Sequence, residues 1–343
     1  MQKEQYFVLF LLVLGILIAA CMSPASRAPQ VTPAPVMTTV KVAYQPTASN
    51  GPLYIAIDEG YFAEQGINVE FVRTASSTAA LPLLLHEDVA VSTGPMRAGL
   101  LNAVIQGGHI RIVADKGTVT PGSCVAYGIM VRKDLVETGV VRNVSDLKGH
   151  KIASHDSDYD LYNALALGNL SRDDVENMDL EFMMIGPAFA NGGIDAALVT
   201  EPYITQIRTN GTAVVLASGQ EFLPGWPLPL YYGPAILDKD PELGRRFMVA
   251  YLKGVKQYNE GKTEQNLRII ANYTHLDRSL LNQTCWYVIS ADGYQDPSPV
   301  RKYINWLYAN NKIDQNLTDD QLLDMQYADY ASGILKNSTT GTK

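Results

Sequence analysis

Catalytic signatures are scarce in this 343-residue chain. It has no HExxH, CxxC or GxSxG element and no Walker loop, and its five histidines are scattered. Metal-hydrolase, dithiol, esterase and nucleotide-hydrolysing chemistry therefore lack their residues, and no catalytic, metal or cofactor site is expected. Ser145 and Lys148 have the spacing of the serine–lysine pair of penicillin-recognising enzymes, but the Ser-Asp-Asn and Lys-Thr-Gly companions are missing. A serine cap on a short helix stopped at Gly149 accounts for them. Basic runs are absent as well. Lys plus Arg number 27 against 35 Asp plus Glu, a net charge of −8, which argues against a nucleic-acid partner. Cysteine is sparse: Cys21, Cys124 and Cys285 are all there is. The latter two lie far apart in sequence, where separate buried thiols are the commoner outcome, but an exported setting permits a bridge, and the sequence leaves the pairing open.

Long apolar runs are limited to one, residues 6–20, after a short polar start bearing Lys3 and Glu4. Fifteen residues are too few for a comfortable membrane span and suit the core of a signal peptide. The run ends Ile18-Ala19-Ala20-Cys21, which resembles the lipobox of exported lipoproteins, in which the cysteine carries the lipid. Residues 1–20 are accordingly expected as signal peptide and 21–39 as a lipidated Cys21 with a Pro-rich tether. The implied location is the outer face of the cell membrane. Asn-x-Ser/Thr occurs seven times, at Asn143, Asn169, Asn210, Asn272, Asn282, Asn316 and Asn337, where composition alone gives about two. That excess hints at a glycosylated surface protein.

What the chain does contain is alternating strand and helix. Residues 40–72, VKVAYQPTASNGPLYIAIDEGYFAEQGINVEFV, read as strand, glycine-containing loop, helix from about Leu53, turn and strand. Helices are expected at 78–85 and 98–106, strands at 89–92 and 110–114, and a lapse into Pro, Gly and Ser at 118–128. A second set follows: strands at 128–132, 151–154, 180–184, 196–199 and 213–216, a helix at 159–168, and a return crossing at 225–232. From 241 onward the pattern is helical, at 243–258, 263–273, 278–290, 299–310 and 319–330, with a polar tail at 336–343. Such alternation implies an α/β fold with mostly parallel sheets.

The sequence of strand, Gly51-Pro52-Leu53-Tyr54, helix ending Glu59-Gly60-Tyr61-Phe62, and Glu64-Gln65-Gly66-Ile67 closely resembles one family. These are the substrate-binding proteins of ABC importers for nitrate, sulfonates, taurine and thiamin pyrimidine precursors. Arg132-Lys133, Ser145 to Gly149, and Gly193-Ile194-Asp195-Ala196-Ala197 with Glu201-Pro202 extend the resemblance over nearly all of 40–331. One departure is His86-Glu87-Asp88, which keeps the family's Asp and lacks its Gly. The resemblance implies a two-lobed type II periplasmic binding protein fold with a helical C-terminal block. Lobe I is expected from 40–122 plus 228–335 and lobe II from 123–227. It also implies a monomer that delivers a small-molecule ligand to an ABC permease and its ATPase. A same-fold enzyme, of the menaquinone-pathway dehydratase or pyrimidine-synthase kind, and a surface sensor module are the alternatives.

In such a fold the ligand faces loops at the carboxyl ends of strands. The candidates in the first lobe are Gln45, Asn50, Gly51 and Tyr54, then Ser76 and Ser77, then Thr93 and Gly94. Ser76 and Ser77 serve equally as helix caps, and Tyr54 as a core residue. In the second lobe His155, Ser157 and Tyr159 of the SHDSDY run, Glu201, and Trp226 on the return crossing are the candidates. Trp226 reads as the most exposed of the three tryptophans, with hinge packing the alternative; Glu201 either accepts from a ligand amine or caps a helix. Asp156, Asp158 and Asp160 would weaken an anion site, so the reading leans to a pyrimidine-like heterocycle over sulfonate, taurine or nitrate.

Overall fold

The computed structural model describes residues 37–155 and 158–340. The stretch expected as signal peptide, Cys21, most of the expected tether, Asp156, Ser157 and the last three residues lie outside them. From Met37 onward the described chain belongs to one compact unit.

Ten strands form two sheets of five. They are β1 Thr38–Tyr44, β2 Ile67–Arg73, β3 Val91–Thr93, β4 Arg111–Thr118, β5 Tyr127–Arg132, β6 Lys151–Ser154, β7 Glu176–Asp179, β8 Ala196–Thr200, β9 Ala213–Ser218 and β10 Pro227–Tyr232. The spatial orders are β2-β1-β3-β10-β4 and β7-β6-β8-β5-β9. Within each sheet the first three strands are parallel, and the fourth, β10 or β5, runs antiparallel to both neighbours. The chain thus passes between the sheets twice, once from β4 to β5 and once from β9 to β10.

The helices that matter below are α1 Gly51–Asp58, α2 Ser77–Leu85, α3 Asp158–Ala166, α4 Phe182–Ala190, α5 Tyr203–Thr209, α6 Pro241–Tyr258, α7 Glu264–Thr274, α8 Pro297–Ala309 and α9 Gln326–Thr340. Helix α6 begins with an Asp240 cap, whose carboxylate accepts from the Leu243 N–H at 2.9 Å, and with Pro241, which loses no hydrogen bond at that position. It buries Phe247, Tyr251, Leu252 and Val255 and packs on α1 and α9. The approach of α1 is close: a Cβ on Gly254 would sit 2.1 Å from the Pro52 carbonyl oxygen, and one on Gly51 would sit 2.7 Å from the Tyr258 ring. Only glycine fits on either side of that contact.

Several sequence expectations change. The apolar run 180–184 is not a strand. The strand is Glu176–Asp179, a partly exposed edge that pairs only with β6 and so tolerates a polar sequence. The apolar residues that follow begin α4, which turns Ile185 and Phe189 into the core. Strand β4 does not stop at Ala114 but continues through Asp115 and Lys116 to Thr118. The helix expected over 278–290 ends at Gln283, and that expected over 319–330 breaks after Leu322, where Leu323 bridges to Ile112 beside β4. Of the expected polar tail, 336–340 form the end of α9, and the remaining three residues lie outside the described ones. Glu87 takes the left-handed conformation (φ 64°) that the family's glycine would adopt with less strain, and its carboxylate reaches Lys239 at 2.5 Å. The seven sequon asparagines are all exposed.

The cysteine pairing, left open by the sequence, is decided by the fold. Cys124, just before β5, and Cys285, in the segment after the helix Arg278–Gln283, form a disulfide with their Cα atoms 5.6 Å apart. Chain distance says nothing of proximity once a crossing and a C-terminal segment meet. Replacing both by serine releases a loop of 161 residues. Loss of that constraint, about 2–4 kcal/mol, should lower Tm by roughly 5–10 °C in scanning calorimetry of protein made in an oxidising compartment. An unchanged Tm would show that the bridge is not formed.

Candidate functional site

The carboxyl ends of β1, β3, β4 and β8 converge on a slot between the two sheets. Its empty space is about 620 Å³, part of it open to solvent, and the centre of a water molecule can move through about 60 Å³ of it. The space is therefore thin, with aromatic surface from Tyr127, Tyr287, Phe182 and Trp226 and polar groups from Thr47, Ser49, Asn50, Thr93 and Thr200.

Two cations, Arg97 and Lys116, lie at this slot. Arg97, after β3, approaches Asp160 of α3 from the other sheet's side (Nη2 to Oδ2, 3.8 Å), and the same oxygen accepts from the Tyr127 hydroxyl at 3.0 Å. Lys116 projects from β4 and is only 2% exposed. Its Nζ donates to Ser49 Oγ at 2.9 Å, and Ser49 Oγ lies 3.0 Å from Thr47 Oγ1. Burial pulls the Lys116 ammonium down to about pKa 7, opposed by the charge of neighbouring Asp115. Asp115 is itself pushed upward by burial, against the pull of hydrogen bonds from Ser290, Gly117 and Thr118 and the charge of Lys116. Those bonds measure 2.8 Å from Ser290 N–H, 2.8 Å from Gly117 N–H and 3.2 Å from Thr118 Oγ1.

Of the sequence candidates, Gln45, Asn50, Thr93, Gly94 and Trp226 line the slot. Gln45 also fixes the loop, donating from Nε2 to the Ala75 carbonyl at 2.6 Å, while Asn50 Nδ2 donates to the Gln45 carbonyl at 2.6 Å. Trp226 is not exposed: at 4% it packs between Tyr159 and Tyr303 with ring centroids 5.2 Å from each. Tyr159 belongs to that aromatic cluster and to a neighbouring recess with Arg172 and Lys312, not to the slot. His155 lines a separate recess with Thr74 and Tyr203, where its ring meets the Phe182 ring edge-on at 5.2 Å. Ser157 lies outside the described residues.

Five candidates face elsewhere. Tyr54 is fully buried, stacked on Tyr273 at 4.8 Å and packed against Tyr44 and Phe71, because its turn of α1 points into the core. Gly51 faces Tyr258 and Ile270. Ser76 caps α2, accepting from the Ala79 N–H at 3.1 Å; Ser77, beside it, packs under Gly94. Glu201, 4% exposed, accepts from the Thr205 N–H at 3.0 Å, the Thr205 hydroxyl at 2.7 Å and the Cys285 N–H at 3.0 Å, so its lone pairs serve α5 and the disulfide segment. Burial raises its pKa against those bonds. The Glu201–Pro202 peptide is cis.

The acidic rim is also corrected. Asp158 is exposed and pairs with Lys312 at 2.8 Å, with Arg172 at 3.9 Å, and Asp160 faces Arg97, so both carboxylates meet cations. Sequence reasoning missed Arg97, Lys116, Ser49, Tyr127 and Tyr287. The available signal was Asp115-Lys116: two charges inside an otherwise apolar strand, which were read as the strand's end. Among the described residues no cluster of three or more His, Cys, Asp or Glu could hold a metal, and no helix is long and apolar enough to cross a membrane.

Comparison with known proteins places this geometry. The chain is 25% identical over 275 residues to the riboflavin-binding protein RibY of Chloroflexus aurantiacus, covering 74% of each. Its fold matches the ligand-binding component of an ABC-type import system from Staphylococcus aureus, solved with zinc bound (TM-score 0.70, 13% identity, 86% of this chain and 99% of that one). It also matches the alkanesulfonate-binding protein SsuA from Xanthomonas axonopodis bound to MOPS (TM-score 0.65, 18% identity, 84% and 98%). The desulfurization enzyme DSZB shares the fold too (TM-score 0.65, 14% identity, 87% and 99%). The fold is that of type II periplasmic binding proteins. The NMT1/THI5-like family model matches residues 48–261, and the chain belongs to that family.

Proposed function

We propose that this protein is an extracytoplasmic solute-binding protein that takes up a small flat ring compound in its slot and delivers it to an ABC permease and its ATPase. The observation that carries this reading is the slot itself: a thin space at the carboxyl ends of strands from both sheets, with aromatic faces and a few polar groups. Two lobes hinged on the crossings at β4–β5 and β9–β10 would part to admit the cargo and close on it. The disulfide suits an oxidising compartment, and the Cys21 lipobox supplies a tether to the membrane's outer face. RibY's name supports a ring compound and makes riboflavin the first probe.

One feature favours a hydrolase instead. The Lys116–Ser49 contact has the distance of a serine–lysine nucleophile pair. Acyl transfer also needs donors for an oxyanion. The adjacent Asn50 N–H is committed to the Thr47 carbonyl and the Gly94 N–H to the Pro229 carbonyl, which leaves neither for that role. Binding is the better account.

Isothermal titration of the purified protein with riboflavin, an aminopyrimidine, taurine, an alkanesulfonate and nitrate should show saturable binding of riboflavin or the aminopyrimidine. Binding confined to the sulfonates or nitrate would overturn the ring-compound reading, and no binding at all would sink the cleft's role. A fluorophosphonate probe should leave Ser49 unlabelled; stoichiometric labelling there would establish the hydrolase. In membrane fractionation Cys21→Ala should release the protein, and retention of that variant in the membrane would refute the lipid anchor.

A further inference from the structure

Lys116 is an unusual group to bury. Lysine is rarely removed from water without a partner that satisfies its ammonium. Among the described residues Lys116 has one hydrogen-bond acceptor, Ser49 Oγ. Asp115 is the nearest counter-charge on the strand, but its oxygens are committed to Ser290, Gly117 and Thr118. An ammonium has three N–H donors. Ser49 is engaged in turn with Thr47, and Thr47 with the Asn50 amide at 3.5 Å, so the chain of hydroxyls anchors the β1–α1 loop and leaves Lys116 as the donor at its end. Lys116 lines the slot. A strand residue that is buried, charged and incompletely solvated at the wall of a cavity is completed by what enters the cavity.

The charge balance selects the kind of acceptor. Of the slot's charged groups, Arg97 faces Asp160, and Lys116 has Asp115 behind it. Each cation is matched by one buried carboxylate, so a full anion entering the slot would be uncompensated. A carbonyl oxygen takes the ammonium's hydrogen bond without adding charge. Resting on the binding reading above, we propose that Lys116, held by Ser49, is the polar anchor of the cargo, and that the cargo is an uncharged flat ring bearing a carbonyl oxygen, of the lactam or imide kind. The aromatic walls take the ring faces and Lys116 reads its edge.

The ammonium gives a carbonyl a charge-assisted hydrogen bond stronger than that of the neutral amine, so affinity should be highest at acid pH and fall as pH rises through about 7, where Lys116 loses its proton. The other charged or titratable groups near it are Asp115 on its own strand, outside the slot's lining, and Arg97, Asp160 and the phenols Tyr127 and Tyr287 on the slot's wall. Burial drives both phenols upward, so they stay uncharged over this range.

The test is titration of riboflavin, whose ring carries such an imide, into the full-length wild type, Lys116→Met, Lys116→Gln and Ser49→Ala at pH 6, 7 and 8.5, followed by flavin fluorescence. Lys116→Met and Lys116→Gln should each weaken binding about 10- to 100-fold and abolish its pH dependence, and Ser49→Ala should weaken it about 3- to 10-fold. The lysine's own burial is checked without ligand. Its proton affinity is lower folded than unfolded, so between pH 7 and the ordinary lysine range the unfolded chain holds the extra proton and wild-type stability rises with pH. Lys116→Met should lack that rise in denaturant melts, which also establish that it folds. Equal, pH-independent affinity in all four proteins would overturn the anchor and leave the binding reading standing. If wild type binds taurine or an alkanesulfonate and not riboflavin, the uncharged class is wrong. If it binds none of the probes named above, both readings fall.

Discussion

A carboxylate buried in a protein must find donors, and in this chain that need fixes the centre of the molecule. Asp115 takes the N–H groups of Gly117 and Ser290 and the Thr118 hydroxyl, while its own carbonyl accepts from Tyr251 of α6 at 2.8 Å. One residue thereby fastens β4 to α6 and to the segment that carries Cys285. The same carboxylate offsets the charge of Lys116. Without it the lysine would have no counter-charge on its strand, the Ser49 contact would tie the β1–α1 loop to a neutral or unfavourable amine, and the slot's wall would lose its shape.

Around that point the two sheets meet at several contacts of different chemistry. Arg97 reaches Asp160 as an ion pair, the Tyr287 hydroxyl donates to the Ala126 carbonyl at 3.1 Å, Glu201 accepts from Cys285, and the disulfide is covalent. The segment 284–293 participates in most of them. Its backbone groups are satisfied one at a time, some by side chains of other elements and some by single backbone bonds to β4, instead of by a ladder.

Much of the fold was legible because burial leaves a period in the sequence. β1 and β2 alternate, α6 and α7 carry apolar stripes, and Gly60 and Gly66 mark turns with φ of 75° and 67°. Where the period misled, a local signal competed with a tertiary one. The polar edge strand Glu176–Asp179 was hidden by the apolar start of α4, and β4 appeared to end where its charges began. The site was legible as a set of loops and not as a set of side chains. Gln45, Asn50, Thr93, Gly94 and Trp226 fell where strand ends predict them, whereas Tyr54 and Glu201 were drawn inward by packing and capping demands that no spacing reveals. Lys116 and Tyr287 come from the middle of a strand and from a distant segment, and only the folded chain brings them to the slot.

The two sheets share one strand order but are assembled differently along the chain. Every strand of the second sheet lies within residues 127–218, so all its partners are present as soon as that stretch has emerged. The first sheet has four strands before that point and waits for β10, which must slot between β3 and β4 after the second sheet's sequence has passed. Until then β3 and β4 each expose an unpaired edge. The sheet that begins the described chain is therefore the one that cannot be completed by the strands at its own end of the sequence and needs the return of the chain.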